Sequence, residues 1–291
     1  MMQRSPTSHI YFSQRLRLHY VDWGQHDAPA MVLVHGIQDH CRTWDDLAAH
    51  FYDRYHVIAP DLRGHGDSEW VKGSSYQYND YLYDLHQLIT QSGTAPVTLV
   101  GHSMGGSIVS FFAGVFPELV EKLVIIEGIG LWQAFNPKPP IDQALREWVS
   151  QTHELSARLP RRYAKLSDAY QRMQQANPQL SKPQALHLTA HGSNQNEDGS
   201  YSWKYDNYTH NFSAGSLSED EVGNLWQKID CPTLIVNASN GLEHRIGQDH
   251  SLDFFQNATL HTLPNTEHWT YHDDLHGVCN LLDNFLENPA N

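Results

Sequence analysis

The sequence predicts an α/β fold, a mostly parallel β-sheet with helices on both faces and an inserted helical cap. Three observations predict it. Apolar, β-branched runs of about five residues recur along the 291-residue chain with helical stretches between them. Two of these runs, Ala30–Val34 and Lys122–Ile126, have the near-continuous apolar character of parallel strands covered on both faces. Between about 130 and 228 the rhythm stops, and Pro137, Pro139, Pro140, Pro160, Pro178 and Pro183 punctuate helical candidates with no buried-strand run. The expected organisation is therefore a core of residues 1–129 and 229–291 interrupted by a cap of residues 130–228.

Taken in order, alternation from Leu16 to Val21 predicts a strand, followed by Ala30–Val34, which stops at His35-Gly36, and by His56–Pro60. Helical periodicity runs from Tyr81 to Ile89, before the strand Pro96–Val100. Lys122–Ile126, Thr233–Val236 and Thr259–Leu263 complete the predicted strands, and an amphipathic helix, Val278–Leu286, closes the chain. Within the cap, Gln143–Gln151 and Ser167–Gln175 read as helices, and the polar run Gly192–Gly199 as an exposed turn. No solenoid-period repeat is visible.

Composition narrows the function classes. With 33 acidic against 19 basic residues and a net charge of −14, the chain is unsuited to nucleic acid or an anionic membrane surface as its main partner. Cys41, Cys231 and Cys279 are far apart, lack C-x-x-C spacing and are odd in number, which fits a reducing compartment rather than a disulfide framework. The first residues, Met1 to Pro6, lack an apolar signal region, and no stretch approaches the roughly 18 consecutive apolar residues of a membrane span. A soluble cytoplasmic protein acting on a small molecule is the expectation.

The chemistry is concentrated in Gly101-His102-Ser103-Met104-Gly105, which follows the strand Pro96–Val100 and opens a small-residue helix. A serine hydroxyl is a poor nucleophile at neutral pH. It must be exposed, given a base and faced by N–H groups that accept the developing oxyanion. A sharp strand-to-helix turn exposes Ser103, Gly101 and Gly105 leave room where a Cβ would clash, and the N–H of Met104 sits at a helix N-terminus without an intrahelical partner. The pattern alone is expected by chance about 0.1 times in a chain of this length, so its strand-turn-helix context carries the weight.

In joint order, Val34-His35-Gly36, Trp44, Asp61-Leu62-Arg63-Gly64-His65-Gly66-Asp67-Ser68, Gly101 to Gly106 and the late Glu267-His268-Trp269 resemble the α/β-hydrolase superfamily over nearly the whole chain. The resemblance implies that Ser103 is the nucleophile and His268 the base, with His272 next in line. It implies an oxyanion hole from the N–H groups of Met104 and Ile37, with Gln38 as the fallback, and a reaction without cofactor or metal. Epoxide hydrolases and haloalkane dehalogenases are similar around Asp61 to Ser68 but attack with an aspartate, so Ser103 points to acyl transfer. The expected function is a serine esterase acting on small to medium carboxylic esters. Thioesterase, lactonase or cofactor-free haloperoxidase activity would use the same residues, and a non-catalytic binding or sensing protein on the same scaffold is the competing class.

The triad acid departs from the common pattern. Most relatives carry an aspartate after the strand equivalent to Thr233–Val236, where this chain has Gly241. Glu127, ending the strand before the cap, and Glu243 are the two candidates. Glu127 is preferred because a carboxylate closing a buried apolar run needs a partner, and an imidazole N–H supplies one.

Other constellations weigh less. His35, His40, His65 and His102 lie on different loops without ligand spacing, and no metal site is expected from them. Asp61, Arg63 and Asp67 read as a structural turn network. Trp132, Phe135, Trp148, Tyr163, Tyr170, Tyr201, Trp203 and Tyr205 are expected to pack the cap, with some lining an apolar pocket above Ser103. Gly199 to Asp206 resembles a cap element of bacterial serine-hydrolase-like proteins.

Overall fold

The computed structural model describes residues 5–73, 76–130, 139–211, 217–248 and 250–287. Trp132, Phe135 and Pro137, named above for the cap, lie outside them. The strands are β1 (Thr7–Ser13), β2 (Leu16–Asp22), β3 (Ala30–Val34), β4 (His56–Pro60), β5 (Val97–His102), β6 (Val120–Ile126), β7 (Ser193–Gln195), β8 (Tyr201–Trp203), β9 (Thr233–Ala238) and β10 (Ala258–Leu263). Eight of them form one sheet in the order β1-β2-β4-β3-β5-β6-β9-β10. β1, β2 and β4 pair antiparallel, and every pairing from β4 through β3 to β10 is parallel.

Period-two alternation assigns each strand's side chains to two cores. Val32, Val34, Leu99, Leu123, Ile125 and Ile235 pack on one face with the helices Tyr78–Ser92 and Met104–Val115. Met31, Leu33, Val100, Val124, Ile126, Leu234 and Val236 pack on the other with Asp45–Phe51 and Leu275–Glu287. Burial on both sides is why these strands read as continuous apolar runs.

Elements absent from the sequence reading have physical reasons for being inconspicuous. In β1, Ile10 and Phe12 are exposed while Tyr11 and Ser13 point inward, so apolar residues on both faces erase the alternation. Its turn to β2 uses Gln14 and Arg15 with φ of 45° and 70°, two left-handed residues in succession without the usual Asn-Gly signal. Lys182–Gly192 is a helix although Pro183 had suggested a break. The proline sits in the first turn, where its missing N–H is not needed, behind the N-cap Ser181. The polar run Gly192–Gly199 is only partly the exposed turn expected. Ser193–Gln195 pairs with Tyr201–Trp203, which leaves Asn196 to Gly199 as the turn.

Between β6 and β9, the helices Ile141–Ser156, Leu166–Ala176 and Lys182–Gly192 precede and flank the β7-β8 hairpin. The next helix, Glu219–Trp226, packs on Met104–Val115, and the Trp226 indole N–H donates to Ser110 Oγ at 3.0 Å. Ties to the sheet side include His40 Nε2 to the Leu188 carbonyl at 3.1 Å, Lys204 to Asp67 at 2.8 Å and Tyr76 O–H to Asp206 at 2.8 Å. No described helix is long and apolar enough to cross a membrane.

Candidate active site

The sequence-predicted site residues converge at the carboxyl edge of the parallel strands, where open α/β sheets gather their loops. His35 and Gly36 follow β3, Ser103 follows β5, Glu127 follows β6, Gly241 follows β9 and His268 follows β10. Ser103 occupies the turn between β5 and the helix Met104–Val115 with φ 54° and ψ −121°. A non-glycine residue there costs on the order of 1–3 kcal/mol and persists only where the surroundings impose it. The imposing contacts are the Ser103 N–H, which donates to the Ile126 carbonyl at 3.0 Å, and the close seating of the helix. A Cβ at Gly105 would collide with the Val34 and His35 carbonyl oxygens, and one at Gly101 with the Gly105 carbonyl.

The N–H groups of Met104, Gly105 and Gly106 precede the first i→i−4 bond of the helix, which runs from the Ser107 N–H to the Ser103 carbonyl at 3.1 Å. Gly36 lies directly against Ser103, since a Cβ on it would stand 3.1 Å from the serine's own Cβ. His35 secures this loop. Its Nδ1–H donates to the Gly36 carbonyl at 2.7 Å, and its Nε2 accepts from the Leu62 N–H at 3.0 Å. Burial lowers its pKa, with nearby Asp61 opposing, so the imidazole stays neutral in that tautomer. Ile37 and Gln38 continue the loop, and Gln38 takes φ 59°.

Glu127 is fully buried and has φ 49°. Its Oε2 accepts from His268 Nδ1 at 3.2 Å and from the Leu242 N–H at 3.0 Å. Its Oε1 accepts from the Ala238 N–H at 2.6 Å and faces Arg245 Nε at 3.1 Å. Arg245, also buried, donates to the carbonyls of Ala238, at 2.8 Å, and Leu242. Glu127, and not Glu243, therefore reaches His268; Glu243 is exposed. Gly241 explains itself in the same geometry, because a Cβ there would run into the Glu127 carboxylate. Arg245 was missed in the sequence, where a single arginine in a loop carries no signal for a charge buried under a strand end. The next candidate base, His272, is bonded to Thr43 Oγ1 at 3.0 Å, and burial pushes its pKa down to about 3.

The four histidines considered above for a shared metal each turn to a different backbone carbonyl. His35 goes to Gly36, His40 to Leu188, His65 to Arg63 at 3.1 Å and His102 to His268 at 2.8 Å. The turn network expected of Asp61, Arg63 and Asp67 is centred on Asp61, while Arg63 and the Asp67 carboxylate reach out of the turn to Asp84 and Lys204. Asp61 accepts from the Cys41 N–H at 2.7 Å and the Asp67 N–H at 2.9 Å, and Arg63 forks onto Asp84 with two bonds of 2.6 Å. Burial alone would raise the Asp61 pKa, but His19 and these donors hold it well below the usual range.

A cavity of about 20 Å³ lies between the Gln38-Asp39-His40 loop, Leu188 and Trp203 of the interrupting segment, and Trp269 beside His268. Trp203 and Tyr205 line it, while Tyr163 packs behind and accepts the Trp203 indole N–H at 3.1 Å. Asp39, at its wall, has a pKa raised to about 7 by burial. A larger surface hollow of about 770 Å³ beside Asn224, Lys228 and Phe254 holds none of these residues.

The sequence pattern of the α/β hydrolase fold matches residues 29–275. The chain is 34% identical over 112 residues to mouse epoxide hydrolase 4, covering 38% of this chain and 31% of that one. It is 34% identical over 110 residues to the lipase LipV of Mycobacterium tuberculosis, covering 38% and 41%. The matched part thus spans about a third of the length of the curated relatives. Among solved structures, a hypothetical protein of Pseudomonas aeruginosa PAO1 superposes with a TM-score of 0.84 at 24% identity, over 96% of this chain and 99% of that one. An esterase of Mycobacterium tuberculosis superposes with 0.75 at 19%, over 97% and 92%. With the sheet order, the strand-turn-helix at Ser103 and a family match over most of its length, the chain belongs to the α/β-hydrolase fold family.

Proposed function

We propose that this protein is a serine hydrolase that cleaves carboxylic esters of small to medium acyl chains, with Ser103 as nucleophile, His268 as base and Glu127 as the acid that orients it. The observation that carries the reading is the bond from His268 Nδ1 to Glu127 at 3.2 Å. It commits Nδ1 as the donor and leaves Nε2 as the nitrogen able to take a proton. In the proposed cycle, Ser103 Oγ attacks the ester carbonyl and its proton passes to His268 Nε2. The N–H groups of Met104 and Ile37 hold the oxyanion. Collapse expels the alcohol, which takes the proton from His268. Water, deprotonated by the same nitrogen, then attacks the acyl-enzyme, and the acid leaves as Ser103 regains its proton.

Residues 130–228 act as the cap in this reading, with Trp203, Tyr205 and Trp269 facing the acyl or alcohol group. The names of the lipase and esterase relatives agree with ester cleavage. The similarity to an epoxide hydrolase is weighed against the serine at position 103, since that chemistry resembles attack by an aspartate. A cytoplasmic setting suits the three free, buried thiols. A catalytic carboxylate in place of the absent aspartate at Gly241 favours turnover over a purely sensory role.

The test is labelling with a fluorophosphonate, followed by a panel of p-nitrophenyl esters of increasing chain length on wild type and Ser103→Ala. Labelling and hydrolysis that both vanish in the variant support the reading. Unchanged hydrolysis in Ser103→Ala, or no labelling of folded wild type, overturns it.

A further inference from the structure

Away from the triad, metal-ligating side chains gather around a cavity of about 120 Å³ lined by His19, His40, Cys41, Asp61, Asp67 and His191. His19 comes from β2, Cys41 from the segment leading out of the Gly36 loop, and Asp61 from the turn after β4. All three are buried. One ligand atom from each, an imidazole nitrogen, the thiol sulfur and a carboxylate oxygen, lies within 4.8 Å of the other two. In a tetrahedral zinc site, with metal–ligand distances of about 2.0–2.3 Å, donor atoms stand roughly 3.3–3.7 Å apart. Small side-chain adjustments would bring this triplet to that spacing.

We propose that His19, Cys41 and Asp61 form a site for one thiophilic divalent cation of the zinc type, with the cavity admitting a water as fourth ligand. Thiolate and carboxylate together cancel the charge of the ion, so its burial carries no net charge. A thiolate-bearing set selects zinc or cadmium over magnesium and calcium, which prefer all-oxygen shells. The orienting partners of a metal centre are already present. His19 Nε2 meets Ser8 Oγ at 2.7 Å, and Asp61 is held by the Cys41 and Asp67 N–H groups at 2.7 and 2.9 Å. On binding, the ion replaces the proton between His19 Nδ1 and Asp61 Oδ2, which are now 2.7 Å apart. That proton moves to His19 Nε2, where Ser8 Oγ accepts it, and the Cys41 thiol proton leaves to solvent.

Among the described residues, two other donor triplets compare poorly. Asp22, His26 and His56 include the exposed His26 and no thiol. Asp45, His187 and His191 are opposed by Arg42, whose guanidinium forks onto Asp45 at 2.6 to 3.0 Å and stands 3.4 Å from His191 Nδ1. The same fork keeps the Arg42 charge on Asp45, although Arg42 also borders the proposed cavity.

The test uses full-length protein stripped with a chelator and titrated calorimetrically with Zn²⁺, with Co²⁺ as the spectroscopic probe. The expected result is one saturable Zn²⁺ site per chain, insensitive to excess Mg²⁺ and weakened at least tenfold in Cys41→Ser and His19→Gln. A thiolate-to-cobalt charge-transfer band should appear in wild type and be missing from Cys41→Ser. Retained binding in folded Cys41→Ser, absence of that band in wild type, or loss of binding in His187→Ala and His191→Ala instead would overturn the assignment. The wild-type cobalt spectrum decides the matter even if a variant does not fold.

Discussion

Replacing Glu127 with glutamine tests the proposed mechanism where it departs most from its relatives. The carboxylate is met from both sides: the Ala238 N–H donates to Oε1, which also faces the Arg245 charge, and the Leu242 N–H and His268 Nδ1 donate to Oε2. An amide presents one oxygen and one NH₂, so in either orientation at least one of these donors faces another donor. Turning the NH₂ toward His268 favours the tautomer with its proton on Nε2, which can no longer accept from Ser103. In a serine triad that defect costs roughly 10⁴ in kcat, and a loss of about 10³–10⁴ is expected here. The buried Arg245 also loses its countercharge, a change worth about 3–5 kcal/mol and about 5–8 °C in Tm. The assay is p-nitrophenyl butyrate hydrolysis at 25 °C, where the variant is still folded by circular dichroism. The companion variant is Glu127→Ala with Gly241→Asp. A Cβ at position 241 enters the space of the Glu127 carboxylate, so an aspartate there places its own carboxylate near the same point, and the pair should recover about tenfold or more over Glu127→Ala. Glu127→Gln with turnover within tenfold of wild type, together with a hundredfold loss in Glu243→Gln, refutes the reasoning.

Further outcomes follow from the same geometry. Gly105→Ala drives a methyl into the Val34 and His35 carbonyls; overpacking of this kind costs about 1–3 kcal/mol. Because the helix carries Ser103, kcat should fall at least tenfold with KM little changed, and an unaltered kcat would contradict the seating argument. Arg245→Met removes the ion pair to Glu127 and both carbonyl bonds, so a loss of about 3–5 kcal/mol is expected in urea unfolding, and a loss under 1 kcal/mol would contradict it. Stability should also fall as pH drops from about 6 to 4.5. Burial lowers His40 to about 4 and His65 and His272 to about 3, so in this window the unfolded chain binds protons that the native state refuses. Asp39, raised to about 7 by burial, works in the opposite sense, because the native state keeps a proton that the unfolded chain releases. His191, lowered to about 4, and His35 and His102, also lowered by burial, add to the histidine side, so the net difference is about three protons or more and the slope about 4 kcal/mol per pH unit. Denaturation midpoints that stay level or rise between pH 6 and 4.5 would show that these histidines are not held neutral.

Much of the site was legible in the chain because its signals are local. The glycines around Ser103 are demanded by backbone contacts within a few residues and one neighbouring strand, and the strands announce themselves because both faces are buried. Glu127 was readable as a carboxylate closing an apolar run. Its choice over Glu243 depended on which side chain crosses from β6 to His268, a contact spanning 141 residues that no local pattern records. The β7-β8 hairpin and β1 escaped notice because short or two-sidedly apolar strands lack a clear period.

By itself, the sequence determined the parallel sheet, the turn that presents Ser103, and the candidates for base and acid, because hydrophobic period and glycine placement act over a few residues. Only the tertiary structure decided that Glu127 meets His268, that Arg245 neutralises it beneath the surface, and that Gly241 is empty to make room. It alone brought His19, Cys41 and Asp61 to one cavity from three separate segments. The physical reason is common to both cases: a buried charge is stable only where its partners are, and distant segments supply those partners once the sheet has formed.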